Sequence, residues 1–189
     1  MVVVLETWLV SYVFYYPVIM SLVWLFGGIC FYVRRGRHVS KEPPVLKRHP
    51  LVSVLIPAHN EEETIADAVH SIFSNRYDNL EVIVINDAST DGTETVLQEY
   101  PHLRLLHLRK NMGKAHGLNL ALAMSHGEII VTLDADSMLD DRAIEWAVWH
   151  FITFPRVGAV TGNPRVRNRS TLLAKIQTAE YSSVIGLIK

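Results

Sequence analysis

The sequence predicts an α/β protein in which a mainly parallel sheet, flanked by helices, follows one transmembrane helix. Three observations indicate this fold class. An uncharged apolar run lies near the N-terminus, four short apolar runs begin at residues 51, 80, 102 and 128, and segments with helical spacing separate those runs. Strands that alternate with single helices form successive βαβ units and a parallel sheet. Their nearly continuous apolar composition is typical of strands that are covered on both faces.

The uncharged N-terminal run extends from Trp8 to Val33. As a helix it is long enough to cross a hydrocarbon core of about 30 Å. A cleaved signal peptide is the alternative, but such a peptide needs a basic segment before its apolar stretch. Residues 1–7 carry only the acidic Glu6. The sequence therefore predicts a membrane anchor over residues 1–35.

The basic residues around this run predict its orientation. None precedes the run, and the following are found after it: Arg34, Arg35, Arg37, Lys41, Lys47 and Arg48. Because cytoplasmic flanks carry the excess of Lys and Arg, the N-terminus is expected outside and the rest of the chain in the cytoplasm.

Composition excludes several classes of function. The 189 residues carry a formal net charge of -1. The soluble part has no dense Lys/Arg stripe of the kind that binds nucleic acid, so no nucleic-acid partner is expected. Cys30 is the only cysteine, which excludes an internal disulfide and a cysteine-based zinc site.

Three segments make up the predicted organisation: the transmembrane helix over residues 1–35, a linker over 36–50 and one domain over 51–189. Prolines among charged residues mark the linker, namely Pro43, Pro44 and Pro50. Predicted strands cover 51–56, 80–85, 102–108, 128–133 and 157–161, with Pro57 ending the first of them. Predicted helices cover 61–75, 93–100, 114–125, 141–154 and 171 to the end. In the first of these helices, Ile65, Val69, Ile72 and Phe73 are expected on one face.

Polar and acidic motifs follow three of the predicted strands. Pro57-Ala-His-Asn-Glu61, Asn86-Asp-Ala-Ser-Thr-Asp-Gly92 and Asp134-Ala-Asp136 all stand where a strand ends. Open parallel sheets bind ligands beyond the carboxyl ends of their strands. Acidic side chains that converge there indicate a divalent cation, which prefers oxygen ligands.

Each motif alone has an ordinary explanation. Asp91-Gly92 is a common turn, Asp87 or Ser89 suits a helix N-cap, and an isolated Asp-x-Asp is weak evidence. Their joint placement favours a site. No G-x-G-x-x-G follows the first strand, and Gly113-Lys114 lacks the remaining residues of a phosphate loop. Side chains and a metal, rather than a glycine-rich cradle, are therefore expected to hold a phosphate.

The motifs resemble, in order and spacing, those of family 2 glycosyltransferases. The matching segments are 53–61, 86–93, Asn111-Met-Gly-Lys-Ala115 and Asp134-Ala-Asp136. Segments 160–165, 170–177 and 180–189 resemble the bacterial branch that makes poly-β-1,6-N-acetylglucosamine, rather than cellulose or hyaluronan synthases. The resemblance implies a GT-A fold, which is Rossmann-like, and inverting transfer from a UDP-sugar, UDP-N-acetylglucosamine, to a growing exopolysaccharide of biofilms.

The resemblance also implies roles for individual residues. Ala58 and Glu61 would line the uridine pocket, and Asp87 would meet the uracil edge. Lys114 would lie near the nucleotide, Asp134 near the ribose and diphosphate, and Asp136 would ligate Mg²⁺ or Mn²⁺. A carboxylate accepts the uracil N–H, and a metal on the diphosphate stabilises charge on the departing UDP.

The family's catalytic base lies in a Thr-Glu-Asp motif that this sequence lacks, so the base is expected beyond Lys189. Implied partners are the donor, a polysaccharide acceptor, the lipid bilayer of the bacterial inner membrane and an accessory membrane subunit. Two alternatives stay open. One is a naturally short, non-catalytic protein that binds nucleotide sugars or a partner at the membrane. The other is an enzyme like dolichol-phosphate-sugar synthases, which the N-terminal anchor and the segment 163–165 disfavour.

Overall fold

The computed structural model describes residues 2–34, 42–167 and 170–178. The chain divides into two compact units. One unit is Glu42–Val160, and the other comprises Met1–Lys41 and Thr161–Lys189. The strands and the helices between them belong to the first unit.

The N-terminal helix α1 covers Val2–Arg34 and includes Pro17. Proline lacks the amide that would bond to the preceding turn. One turn later the Ser21 hydroxyl donates to the Pro17 carbonyl at 2.7 Å. The stretch Val10–Arg34 has a mean hydropathy of 1.8 and is long and apolar enough to cross a membrane. The predicted basic cluster at Arg35, Arg37 and Lys41 lies outside the described residues.

Four parallel strands form the sheet: β1 Val52–Ala58, β2 Leu80–Asn86, β3 Arg104–His107 and β4 Ile129–Thr132. Their order is β3-β2-β1-β4. This topology confirms the predicted α/β class and its parallel sheet. The register pairs Val52 with Leu80 and Ala58 with Asn86, so β1 and β2 end at the same level. The motifs that follow them therefore start side by side.

Strand β1 continues through Pro57, so the prediction that this proline ends the strand is wrong. Strand β4 pairs with β1 only from Val52 to Leu55. Beyond Leu55 the β1 backbone is bonded on the β2 side alone. A residue without an amide donor is tolerated where one side of a strand has no partner, and Pro57 occupies such a position.

The helices cover both faces of the sheet. They are α2 Ile65–Phe73, α3 Thr93–Gln98, α4 Lys114–Met124 and α5 Ala143–Thr153. On one face the core includes Leu97 of α3 and Ile144 and Val148 of α5. On the other face Ala121 of α4 packs with Leu55, Ile83 and Ile85.

Helix α2 presents a narrower apolar face than predicted. Ile65, Val69 and Ile72 are fully buried, as expected, whereas Phe73 is 45% exposed. Successive helical residues are about 100° apart, so a residue next to Ile72 is turned away from the buried stripe.

No strand forms at the predicted position 157–161, where the described backbone is irregular. The apolar stretch there is short and lies between Gly158 and Gly162. Glycine is depleted in strands, and this segment has no neighbouring strand to pair with in the described sheet. Residues 172–178 are helical, as predicted, and the rest of that predicted helix lies outside the described residues.

The segment 42–50 lies against the amino-terminal edge of the sheet and belongs to the compact unit that begins at Glu42. The Tyr77 hydroxyl donates to the Pro50 carbonyl at 2.5 Å, and the Asn79 amide donates to the His49 carbonyl at 2.8 Å. Arg48 forms an ion pair with Glu128 at 3.2 Å. Burial, the largest influence, and nearby carboxylates raise the pKa of Tyr77 to about 12.

Glu81 joins three strands at the same edge. Burial opposes ionisation of its carboxyl, but hydrogen bonds from the His126 backbone amide, Ser53, the His126 ring and Arg104 outweigh that effect and lower its pKa to about 2. The Arg104 guanidinium lies 3.0 Å from the carboxylate, whose side chain is only 14% exposed. This network fixes the end of the sheet that is remote from the acidic motifs.

Candidate active site

The predicted site residues surround the carboxyl edge of the sheet. Ala58 is the last residue of β1, is 2% exposed and belongs to the main hydrophobic cluster. Its carbonyl accepts the Asp87 amide at 2.9 Å. The Ala58 methyl group is therefore part of the core, and its backbone joins the loop after β1 to the loop after β2.

Asp87 directly follows β2 and is 5% exposed. Its carboxylate oxygens accept two backbone amides, Oδ1 from Met112 and Oδ2 from Gly113, each at 2.8 Å. The Asp87 carbonyl lies 2.7 Å from Nδ1 of His59. One residue thus ties together the loops that follow β1, β2 and β3.

Gly113 begins the last of these connections. Its φ of 86° and ψ of 154° lie in a region that residues with a Cβ essentially avoid. The glycine turns the chain into α4, which starts at Lys114. This backbone conformation lets the Gly113 amide bond to Asp87 while the chain enters α4 at the next residue.

The loops after β1 and β2 are cross-linked by their own polar side chains. The Asn60 amide donates to the Ser89 hydroxyl at 3.1 Å, and the Thr90 amide donates to Oδ1 of Asn60 at 2.8 Å. Asn60 and Ala88 have φ values of 57° and 55°. Left-handed backbone is uncommon at residues other than glycine, and such residues concentrate at functional sites. Ala88 is the less expected of the two, because its methyl group cannot form the local hydrogen bonds that stabilise this conformation in asparagine.

Glu61 also links the loop after β1 to the loop after β2. Its amide donates to the Thr93 hydroxyl at 2.9 Å, and its carboxylate accepts the Thr64 hydroxyl at 2.7 Å. Asp91 closes the same turn by accepting the Glu62 amide at 3.2 Å. A hydrogen bond from the Thr93 hydroxyl, the largest cause, helps to lower the pKa of Asp91.

Lys114 and Asp134 form an ion pair at the same edge. Lys114 is the first residue of α4, and Asp134 follows β4. Their side chains are 59% and 58% exposed. Exposed pairs of this kind contribute little to stability, so both groups are accessible to a ligand that offers a better partner to either.

Asp136 is exposed, and its carboxylate accepts the Ser137 hydroxyl at 3.2 Å. Among the described residues, no three His, Cys, Asp or Glu side chains are arranged as a preformed metal site. Mg²⁺ commonly uses one or two carboxylates and completes its shell with water and phosphate oxygens. An accessible carboxylate that leaves the rest of the shell to water and a ligand fits that pattern, whereas a closed protein cage for the ion is absent from the described part of the chain.

Sequence reasoning missed three contributors to the site. Nδ1 of His59, a residue to which the sequence assigns no role, lies 2.7 Å from the Asp87 carbonyl oxygen. The amides of Met112 and Gly113 bind the Asp87 carboxylate. The motif Asn111-Met-Gly-Lys-Ala115 identifies the segment that carries these two amides. The sequence does not indicate which carboxylate accepts them.

The side chains at this edge are chemically suited to a phosphate ligand and a cation. A lysine and two aspartates lie at the carboxyl edge, where Lys114 offers a positive charge and Asp136 an oxygen ligand. Hard oxygen ligands suit Mg²⁺ and Mn²⁺. The buried Asp87 carboxylate organises the loop that carries the lysine.

The parallel sheet with its flanking helices is the fold of a GT-A-like glycosyltransferase domain. The chain belongs to glycosyl transferase family 2, whose family model matches residues 53–186. It is similar to the poly-beta-1,6-N-acetyl-D-glucosamine synthases of Staphylococcus epidermidis and Staphylococcus aureus, with 37% identity to each. The similarity covers 95% of this chain and 45% of either relative, so the chain spans less than half the length of these curated proteins.

Solved structures show the same fold. The mannosyltransferase PcManGT from Pyrobaculum calidifontis, in complex with GDP-Man and Mn²⁺, has a TM-score of 0.58 and 31% identity, covering 80% of this chain and 47% of its own. TarS residues 1–349 of S. aureus, in complex with UDP-GlcNAc, has a TM-score of 0.54 and 22% identity, covering 62% of this chain and 38% of its own. At that identity the second likeness supports the fold alone.

Proposed function

We propose that this chain binds UDP-N-acetylglucosamine and a divalent cation at the carboxyl edge of its sheet, as the donor site of an inverting transferase that extends poly-N-acetylglucosamine. The observation that carries the proposal is the meeting of Asp87, Lys114 and Asp134 around one edge, joined through the Asn111–Lys114 loop. The similarity to the staphylococcal synthases supports the choice of sugar.

Each residue of the edge has a part in this proposal. Ala58, Glu61 and Asp87 belong to the loops proposed to receive uridine. The uracil N–H suits a carboxylate acceptor, and each Asp87 oxygen keeps a lone pair beside its backbone bond. Asp134 is proposed to contact the ribose and diphosphate. On donor binding, Lys114 exchanges its exposed bond with Asp134 for the more highly charged diphosphate.

Asp136 is proposed to hold Mg²⁺ or Mn²⁺, which when bound supplies Lewis-acid stabilisation of the leaving diphosphate. The PcManGT complex contains Mn²⁺ and supports a divalent ion in this fold. Asp134 and Asp136 thus have nucleotide and metal roles, and the proposal assigns the catalytic base to neither.

Membrane attachment is the second part of the proposal. Helix α1 is long and apolar enough to span the bilayer, and we place it in the bacterial inner membrane as a single span with the domain in the cytoplasm. That side supplies nucleotide sugars, and a polysaccharide acceptor and an accessory membrane subunit complete the proposed partners.

Donor competition tests the proposal with the full chain in detergent or nanodiscs. Fluorescent UDP is bound in the presence of Mn²⁺ and displaced with UDP-GlcNAc, UDP-glucose, GDP-mannose or GDP. The proposal predicts that UDP-GlcNAc is the strongest competitor among the sugars. GDP-mannose winning the competition would overturn the uridine assignment and favour the chemistry seen in PcManGT.

Transfer is tested separately with radiolabelled UDP-GlcNAc and Mg²⁺, by following released UDP and labelled polymer. We expect UDP release without polymer above the Asp136→Ala background, because the Thr-Glu-Asp motif that carries the family's base does not occur within these residues. A positioned general base typically contributes about 10²–10⁴ in rate. Polymer above that background would show that a base lies before Lys189.

A further inference from the structure

We infer that Asp87 is a positioning residue for Lys114: its buried carboxylate holds the Asn111–Lys114 loop so that the lysine is set for the β-phosphate of the donor. This inference rests on the proposed function and gives Asp87 a task beyond contact with uracil. The geometry points to it because both carboxylate oxygens are already engaged by the loop that leads directly into Lys114.

The strength of this anchor follows from its burial. Asp87 is 5% exposed, and its two N–H···O distances are both 2.8 Å. Hydrogen bonds to a charged acceptor are about twice as strong as neutral ones. A buried acceptor that loses its donors also incurs a desolvation penalty. These two hydrogen bonds therefore stabilise the observed conformation of the Asn111–Lys114 loop.

The anchored loop determines where Lys114 begins. Gly113 has an unusual φ of 86°, its amide is held by Asp87, and Lys114 is the next residue. The lysine amine then meets Asp134 beyond β4. Hence a continuous set of contacts runs from the end of β2, through the loop, to the end of β4.

UMP and UDP share uracil and ribose and differ by one phosphate, so comparing them distinguishes two possible roles of Asp87. UMP carries uracil, ribose and one phosphate, whereas UDP adds the phosphate proposed to meet Lys114. If Asp87 acts only on uracil, its loss weakens UMP and UDP equally. If Asp87 positions Lys114, its loss weakens UDP more than UMP, and it does so for other nucleoside diphosphates as well.

Asp87→Asn tests this distinction in the full solubilised chain. Asparagine keeps the shape but offers only one acceptor oxygen to the two amides. We expect UDP affinity, measured by calorimetry with Mn²⁺, to fall about tenfold more than UMP affinity, which corresponds to about 1.4 kcal/mol. Asp78→Asn is the matched control, since this exposed aspartate precedes β2 at the opposite edge. It should change neither affinity.

A double-mutant cycle with Lys114→Met completes the test. The single Lys114→Met change should reproduce the selective loss for UDP, and Asp87→Asn should add little in its background. Lys47→Met, also exposed, controls for loss of a positive charge. Fully additive effects on UDP, or equal losses for UMP and UDP in Asp87→Asn, would overturn the inference while leaving UDP binding intact. Failure of the unmodified chain to bind UDP would instead refute the proposed function.

Hydrogen exchange of the unmodified chain provides a measurement that does not depend on a variant folding. Peptides covering residues 109–116 should gain more protection from UDP than from UMP, each at a saturating concentration. Equal protection by the two nucleotides would show that the β-phosphate does not engage this loop, and the positioning role would be rejected.

Discussion

Replacing Gly113 with alanine isolates the backbone conformation on which the site loop depends. Gly113 has a φ of 86° and a ψ of 154°, and an added Cβ would find no atom within 4 Å. The cost therefore arises from the backbone and not from a clash. Conformations of this class cost about 1–3 kcal/mol in residues other than glycine. The change should destabilise the loop by that amount.

Two quantities report this cost in the full solubilised chain. The first is the thermal midpoint of the domain, which drops by roughly 4 °C for each kcal/mol in a domain of this size. The half-buried Trp146 and Trp149 of α5 make tryptophan fluorescence a suitable probe. The second is UDP affinity, which falls by roughly 5–150-fold if a relaxed loop must regain its strained form on binding.

Gly158→Ala is the matched control for this substitution. Gly158 is exposed, has no atom within 4 Å of an added Cβ and lacks the positive φ of Gly113. This variant should leave both quantities unchanged. The reasoning is refuted if Gly113→Ala behaves like Gly158→Ala in both thermal midpoint and UDP affinity, because the loop would then have no need of its observed conformation.

Three further predictions concern other parts of the chain. The Glu81 pKa is depressed to about 2 from 4.5, so its contribution is full above about pH 4.5 and is lost as pH falls towards 2. The shift corresponds to at most about 3 kcal/mol, which solvent screening reduces. Glu81→Gln should therefore lower stability at pH 7 and flatten its decline below pH 4.5, and an unchanged acid profile in denaturant titrations would contradict this. In Gly127→Ala an added Cβ would lie 2.5 Å from the Ser53 amide nitrogen, so the free energy of unfolding should fall by about 1–3 kcal/mol. An unchanged free energy of unfolding in denaturant titrations would contradict the close packing at this edge. A cytoplasm-dependent reporter should be active when fused after Lys189 and silent ahead of Met1, and the reverse pattern would invert the proposed topology.

The parallel sheet was predictable because apolar runs and helical spacing are local signals. The order β3-β2-β1-β4, in which β4 returns to the free side of β1, is not contained in these local signals. Pro57 shows the limit of local reasoning: whether a proline ends a strand depends on which side of the strand has a partner. The segment 157–161 shows the same limit, since a short apolar stretch becomes a strand only when another strand pairs with it.

The meeting of the polar motifs at one edge of the sheet was also predictable, but the contacts among them were not. Parallel strands place the residues after their ends at one edge, which identifies Asp87, Asp134 and Asp136 as neighbours of that edge. The bonds from Asp87 to Met112 and Gly113 join backbone amides to a carboxylate far away in the sequence. Backbone donors carry no residue signature, so only the folded chain reveals them. Nor did residue type indicate that the Ala58 side chain belongs to the core.

The central claim is that Asp136 and a divalent cation bind a uridine diphosphate at the carboxyl edge. Calorimetric titration of the full solubilised chain with UDP, in Mn²⁺ and in chelator, tests it most directly. We predict binding that requires the metal, loss of that requirement together with most of the affinity in Asp136→Ala, and unchanged binding in Asp78→Ala. Equal binding of UDP in metal and in chelator would contradict the metal role of Asp136, and absence of binding in both would contradict the claim as a whole.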